Sequence, residues 1–271
     1  MAKGALWLIG AGNMGGAMLR GWIASGIERP IVVIDPFVES VPDGVALLRE
    51  IPDGGQPDIL VLAVKPQQLG DVTSRFSAGG AAPRLLLSIL AGVETGTLSK
   101  AFGAGATVRA MPNLPVSIGE GVTALHSRDA DDATRAEAAA LVTPLGLVEW
   151  IKNETLFDAV TALSGCGPGF VFRFIEAMAE AGEALGLPAD QALRLATATV
   201  KGSGLLAAAS SESPALLADR VASPGGSTRE GLNVLDRDGH LKMLLRETLA
   251  ASARRNAELA ASARAGPKSD D

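Results

Sequence analysis

A chain of 271 residues is long for one hydrophobic core and suits two domains. Its 47% hydrophobic content with 20% charged residues belongs to a globular protein rather than a disordered one. The formal net charge of −6, with no basic run, argues against a nucleic-acid partner, and the single Cys166 excludes a disulfide framework and a thiolate metal cluster.

No apolar stretch reaches the length of a membrane span without a charge or a glycine. The opening MAKGALWLIG has too short an apolar run for a signal peptide and leads straight into a glycine turn. The expectation is a soluble cytoplasmic protein with no membrane partner. His126 and His240 match no metal-ligand spacing, so no metal is expected.

Leu6, Trp7, Leu8 and Ile9 form a short apolar run, right for a strand buried on both faces, and Gly10, Gly12 and Gly15 follow as G-x-G-x-x-G. From Met14 to Ile27 the apolar residues Met14, Ala17, Met18, Trp22 and Ile23 recur at helical spacing. Strand, glycine turn and helix together predict a dinucleotide site. Gly10 permits the tight turn, Gly12 lets a pyrophosphate reach the backbone, and Gly15 lets the helix pack close to the strand. The helix N-terminus offers free N–H groups and a partial positive charge to the phosphates.

Ile31 to Ile34 is a second strand, ended by Asp35-Pro36. Asp35 stands about twenty residues past the glycines, where a carboxylate meets the adenosine ribose. There it accepts hydrogen bonds from the ribose hydroxyls and repels a 2′-phosphate, which favours NADH over NADPH. Arg29 and Arg49 are the nearest guanidiniums and soften that preference. The structural alternative is that Asp35 only starts the turn with Pro36.

The Pro- and Gly-rich segment Val41 to Asp58 holds a weak helix near Val45 to Glu50. Ile59 to Val64, closed by Lys65-Pro66, Leu85 to Leu90, closed by Ala91-Gly92, and Thr107 to Met111, closed by Pro112-Asn113, are further buried strands. In an open parallel sheet the ligand crevice lies beyond the carboxyl ends of the strands, so the loops at Gly10, Asp35, Lys65, Ala91 and Asn113 are expected to line one crevice. Gly121 to His126 and Leu145 to Trp150 are two more strands, with a helix from Asp129 to Leu141 between them. The first domain is expected to span 1–152.

From 153 to 271 alanine- and leucine-rich helices replace the strands. Thr155 to Leu163 is one helix, interrupted by Ser164-Gly165-Cys166-Gly167-Pro168-Gly169. Phe170 to Leu185 follows and is apolar almost all round, with Phe170, Val171, Phe172, Phe174, Ile175, Ala177 and Met178. Such a helix must be buried on every face, which this domain alone hardly achieves, so a partner subunit across a two-fold axis is expected. Ala189 to Ala209 and Pro214 to Val221 are the next helices.

The loop Ser223-Pro224-Gly225-Gly226-Ser227-Thr228 precedes a helix from Arg229 and has the makings of a carboxylate nest. An ordinary capping loop is an equal reading of these residues. Gly239 to Ala261 is a final long helix, and Ser262 to Asp271 reads as a frayed polar tail. Cys166, with no histidine near it in sequence, reads as a small core residue rather than a nucleophile.

Gly10-Ala11-Gly12-Asn13-Met14-Gly15, Ala63-Val64-Lys65-Pro66-Gln67, Arg109-Ala110-Met111-Pro112-Asn113-Leu114-Pro115, Ala162-Leu163-Ser164-Gly165-Cys166-Gly167-Pro168 and the Ser223 to Thr228 loop resemble, in order and spacing, the pyrroline-5-carboxylate reductases. The resemblance runs from Leu6 to about Glu258; the first motif is shared by many dehydrogenases and the last two are specific to that family. It implies an α/β fold class, with an N-terminal Rossmann dinucleotide-binding domain and a C-terminal all-α dimerisation domain. It implies reduction of L-1-pyrroline-5-carboxylate to L-proline with NAD(P)H by a homodimer, or a higher oligomer built from it. It puts the dinucleotide on Gly10, Ala11, Gly12, Asn13, Met14 and Gly15, on Ala63, Val64, Lys65 and Pro66, on Ala91 and Gly92, and near Asn113. It puts the substrate carboxylate on Ser223, Gly225, Gly226, Ser227 and Thr228, with the Thr228 hydroxyl bonded to the ring nitrogen as the catalytic contact.

The chain departs from the family at several positions. Cys166 stands for the middle serine of S-G-S-G-P-A-Y, Gly169-Phe170 stands for Ala-Tyr, and the chain has no tyrosine. Asp35-Pro36 differs from the Asn-Arg or Ser-type residues that suit a 2′-phosphate, and Ser227 replaces the commoner threonine. The rival readings are a broader cyclic-imine reductase, a hydroxyacid dehydrogenase using Lys201 as its lysine, and, least favoured, a non-catalytic NAD-binding regulator.

Overall fold

The computed structural model describes residues 4–78 and 82–265. One compact unit runs up to Gly165 and takes the chain up again from Ser252; the other is Cys166–Ala251.

The first unit is built on one sheet. Its strands are β1 (Leu6–Ile9), β2 (Ile31–Ile34), β3 (Ala46–Leu48), β4 (Ile59–Leu62), β5 (Leu85–Ser88), β6 (Ala106–Pro112), β7 (Gly121–His126) and β8 (Gly146–Trp150). Their spatial order is β3-β2-β1-β4-β5-β6-β7-β8. From β3 to β6 every pairing is parallel; β7 runs antiparallel to β6, and β8 is parallel to β7. The chain moves outward from β1 to β3, then returns to the other side of β1 at β4. The crevice where the winding reverses therefore opens between the ends of β1 and β4.

Helices cover both faces, which is why the strands read as unbroken apolar runs. Leu6, Leu8, Val33, Val61, Leu87 and Val108 face Met18 and Trp22 of α1 (Asn13–Ala24) and Leu141 of α4 (Asp132–Val142). On the opposite face Trp7, Ile9, Leu60, Leu62 and Leu86 meet Phe76 of α2 (Leu69–Ala78) and Leu98 and Phe102 of α3 (Thr95–Phe102). The α4 helix starts at Asp132 rather than Asp129 because Asp131 caps it, its side chain accepting from Thr134 N at 2.8 Å.

Residues 45–50 are the clearest departure from expectation. No helix forms there; a turn closed by Val45 N donating to Pro42 O delivers Ala46–Leu48 as the edge strand, in register with Val32, Val33 and Ile34. Pairing with β2 overrides the local helical pattern.

The expected boundary at 152/153 falls within the first unit. Glu154–Leu156 is a 3-10 turn, α5 is Phe157–Val160, and Thr161–Gly165 closes as a π turn, so the single expected helix has three geometries. Phe157 and Ala162 are buried.

The second unit is helical: α6 (Gly167–Ala184), α7 (Ala189–Ala209), α8 (Pro214–Arg220), α9 (Ser227–Asp236) and the first part of α10 (His240–Ala265). Helix α6 begins before Phe170, with Pro168 in its first turn, a position that requires no N–H. Helix α10 continues through Ala265, so Ser262 to Ala265 are helical rather than frayed; the rest of that expected tail lies outside the described residues. No side chain of α6 is buried, and α7 buries only Ala192 and Ala196.

One buried hydrogen bond ties α1 to α4: Trp22 Nε1 donates to Leu141 O at 2.7 Å. Replacing Trp22 with Phe keeps most of the apolar bulk and strands that carbonyl. The expected cost is about 1–3 kcal/mol in urea unfolding; an unchanged midpoint would mean that water replaces the indole.

Candidate functional site

The turn after β1 shows why each glycine is there. Gly10 has φ +90°, and a Cβ on it would lie 2.7 Å from Ala63 O. A Cβ on Gly15 would lie 2.1 Å from Gly10 O. Helix α1 thus starts in backbone contact with the strand ends, where no side chain fits. A Cβ on Gly12 would meet nothing within 4 Å, so the space above it is open. Gly12 is the N-cap and no side chain caps the helix; the first-turn amides of Asn13, Met14 and Gly15 lack intrahelical acceptors. An open glycine below a ring of free N–H groups fits a dinucleotide's pyrophosphate.

Asp35 closes this turn from β2. Its Oδ2 accepts from Ala11 N at 2.8 Å, and its Oδ1 accepts from Phe37 N at 2.8 Å and Val38 N at 3.1 Å. Burial pushes its pKa up; the Ala11, Phe37 and Val38 N–H groups and the Arg49 charge outweigh that and hold it below the usual range. Asp35 therefore both ends β2 and anchors the glycine loop. Arg49 lies at the same end of the sheet, donating to the Asp35 and Val38 carbonyls. Arg29 does not: it precedes β2 and pairs with Asp58 and Glu137 at the opposite edge, too far to act on the ribose position.

The remaining loops follow along the same edge. Ala63 N donates to Ile9 O at 2.8 Å, and Val64 continues from it. Lys65 is exposed, and its N–H donates to Gln68 Oε1 as Pro66 opens a 3-10 turn. Gly92 has φ +74°, and a Cβ on it would come 3.0 Å from Ala260 Cα. Pro66, Ala91, Gly92, Arg109, Asp158 and Asn256 are among the residues lining a cavity of about 1100 Å³. Asn113 is buried with both side-chain groups engaged: Nδ2 donates to Ser164 O at 3.0 Å and Oδ1 accepts from Val122 N at 2.8 Å. Its side chain fixes the strand end rather than standing open for a ligand.

Next to this edge lies a charged cluster that sequence reading missed. Glu154 is buried; its Oε1 accepts from Thr95 N at 2.8 Å and lies 3.4 Å from Arg109 Nη1. Its Oε2 accepts from Thr95 Oγ1 at 2.8 Å and pairs with Arg128 at 3.0 Å. The Arg109 guanidinium lies 4.3 Å over the Phe157 ring. Nothing in the sequence around Glu154 marks partners 59, 45 or 26 positions away.

In the second unit, Ser223 to Gly226 is a turn closed by Gly226 N donating to Ser223 O at 2.9 Å. Pro224 and Gly225, the latter at φ +71°, occupy the central positions of a type II turn. Gly226 caps α9, which begins at Ser227 rather than Arg229, so both hydroxyl residues lie in its first turn and Thr228 is exposed. No side chain caps this helix either. Arg229 pairs with Asp219 at 2.8 Å and holds α9 to α8. Glu212 pairs with Arg220 through Oε1, while its buried Oε2 has no hydrogen-bond partner among the described residues, another feature without a sequence signal.

The pyrroline-5-carboxylate reductase of Synechocystis sp. is 38% identical over 263 residues, covering 94% of this chain and 97% of its own. The chain belongs to the pyrroline-5-carboxylate reductase family. It is an NAD(P)-dependent oxidoreductase of the Rossmann class with a C-terminal helical dimerisation domain. The family model "Pyrroline-5-carboxylate reductase dimerisation" matches residues 154–259, and "NADP oxidoreductase coenzyme F420-dependent" matches residues 6–92. The solved reductase of Coxiella burnetii superposes with TM-score 0.85 at 32% identity, covering 95% of this chain and 98% of that one. The Plasmodium falciparum reductase, solved with NADP bound, gives 0.76 at 27% identity, with coverage of 94% and 98%. The run Glu154–Ala184, long and apolar enough to cross a membrane by length and composition, falls inside the dimerisation match.

Glu154 links the start of α3, just after Ala91-Gly92, to β6. Burial pushes its pKa up, but the Thr95 backbone and hydroxyl, Arg109 and Arg128 pull it below the ordinary 4.5. Because the folded value is the lower one, its stabilisation is complete above the unfolded pKa and is lost as pH falls through the folded one. Glu154→Ala leaves the Arg109 guanidinium buried without its carboxylate, and a loss of about 3–5 kcal/mol is expected in urea unfolding. Glu154→Gln is expected to flatten the acid limb of the stability–pH curve below about pH 5; an acid limb like the wild type's would assign that limb to other carboxylates.

Proposed function

We propose that this reductase converts L-1-pyrroline-5-carboxylate to L-proline, with the pyrophosphate of NAD(P)H on the first turn of α1 and the substrate carboxylate on the Ser223 to Thr228 turn. The observation that carries the reading is the pair of helix N-termini, at Asn13 and Ser227, each preceded by a glycine and neither capped by a side chain. Each presents free amides and a partial positive charge to an anion. Bound NAD(P)H supplies the hydride.

The protein's own share of the chemistry is small, because a protonated cyclic imine already accepts hydride readily. The amides after Gly12 seat the phosphates. The turn at Pro224-Gly225 orients the substrate by its carboxylate. The Thr228 hydroxyl accepts the ring N–H and keeps the proton on the imine nitrogen. Orientation then supplies most of the rate. Asp35 stands after β2, where a carboxylate at the adenosine-ribose end favours NADH.

The working form is a homodimer through the helical unit. Phe172, Phe174, Leu205, Leu206 and Leu244 are each half exposed or more, a surface that one copy leaves in water. A second copy across a two-fold axis is the partner that covers such faces symmetrically. The apolar run's lying within a dimerisation match supports its being part of that interface, and higher assembly of such dimers and a cytoplasmic setting belong to the same reading.

Thr228→Ala is expected to lower kcat/KM about ten- to a hundredfold, the range of one lost polar contact; unchanged kinetics would remove Thr228 from the mechanism. Phe172→Asp is expected to yield monomers of low activity in sedimentation velocity, and a variant that stays dimeric would put the interface elsewhere.

A further inference from the structure

We infer that Arg49 is the receptor for the 2′-phosphate of NADPH, so that the protein takes either coenzyme despite Asp35. The inference rests on the dinucleotide reading above and adds the residue that decides between the two coenzymes.

The Asp35 carboxylate is not a free surface charge. It is 7% exposed, and both of its oxygens are taken by backbone N–H groups of Ala11, Phe37 and Val38. Three amide dipoles pointing at it offset much of the field it would exert on an incoming phosphate. Arg49 is the reverse case. It is exposed and follows β3 at the same carboxyl edge of the sheet. Only its Nη1 is engaged, on the carbonyls of Asp35 and Val38. Its Nε and Nη2 donors have no hydrogen-bond partner, and no carboxylate lies within ion-pair distance of it, among the described residues. Two carbonyls of the loop after β2 therefore hold the base of a guanidinium whose other donors are open.

Position agrees with this role. The order β3-β2-β1 sets the end of β3 two strand spacings, about 10 Å, from the glycine turn. A dinucleotide with its pyrophosphate on that turn extends its adenosine across β2 towards β3. Arg29, the other guanidinium near β2 in sequence, is at the far edge in a closed network with Asp58, Arg84 and Glu137. A planar fork with open N–H groups suits a phosphate better than a ribose hydroxyl.

The test measures binding of 5′-ADP and 2′,5′-ADP to the full chain by calorimetry, for wild type, Arg49→Gln and Arg49→Lys, with thermal melts as the folding control. The expected result is that Arg49→Gln weakens 2′,5′-ADP about tenfold or more and changes 5′-ADP by less than about twofold, while Arg49→Lys retains part of the difference. The kinetic counterpart is an NADH-selective Arg49→Gln enzyme. Equal weakening of both ligands would make Arg49 a loop clamp only, and no change in either would remove it from the site. Failure of 5′-ADP to bind the wild type would overturn the dinucleotide seat itself, and the role of Arg49 with it.

Discussion

The first turn of α1 sits on the ends of β1 and β4 with no side chain between helix and strand. The contact requires hydrogen at Gly15, where a methyl would meet Gly10 O at 2.1 Å, and a positive φ at Gly10. It keeps the helix amides low over the sheet edge, and the other loops of that edge follow from strand order. Shifting the helix outward by one methyl would move its first-turn amides away from Asp35, whose hydrogen bond to Ala11 N sets the height of the loop. The glycine turn of this reductase thus rests on a backbone packing constraint together with the Asp35 carboxylate that ties its loop down.

Asp35 shows how a residue type can be read correctly and its task incompletely. An acidic residue after the second strand, closing the turn there, is legible. That its oxygens are occupied by Ala11, Phe37 and Val38 is a matter of loop conformation, for which one sequence carries no pattern. The charge remains, since those N–H groups stabilise the ionised form. The positive charge beside it belongs to Arg49, which the chain delivers by adding an edge strand where the local pattern favoured a helix.

The legible parts carry their signal within their own run of residues. Runs such as Ile59 to Leu62 and Leu85 to Ser88 are buried on both faces, so composition alone marks them, and Ala189–Ala209 is marked by a clean helical period between Pro188 and Ser210. The illegible parts are those whose form depends on a distant partner. Ala46–Leu48 becomes a strand because β2 offers it a ladder. Glu154 becomes a hub because Thr95, Arg109 and Arg128 arrive from other elements.

The helical unit carries the same logic beyond a single chain. Its sequence is apolar around α6, yet no residue of α6 is buried within one copy. In the sheet unit, apolar runs and burial coincide; here they separate, and the difference must be made up from outside. Burial worth about 25 cal/mol per Å² is forgone at each uncovered leucine and phenylalanine. A unit whose apolar α6 residues stay uncovered in one copy gains burial on association, so association adds to its stability. Within one copy the α8–α9 corner that carries the Ser223 to Thr228 turn is tied by the Arg229–Asp219 pair, a surface ion pair that by itself contributes little.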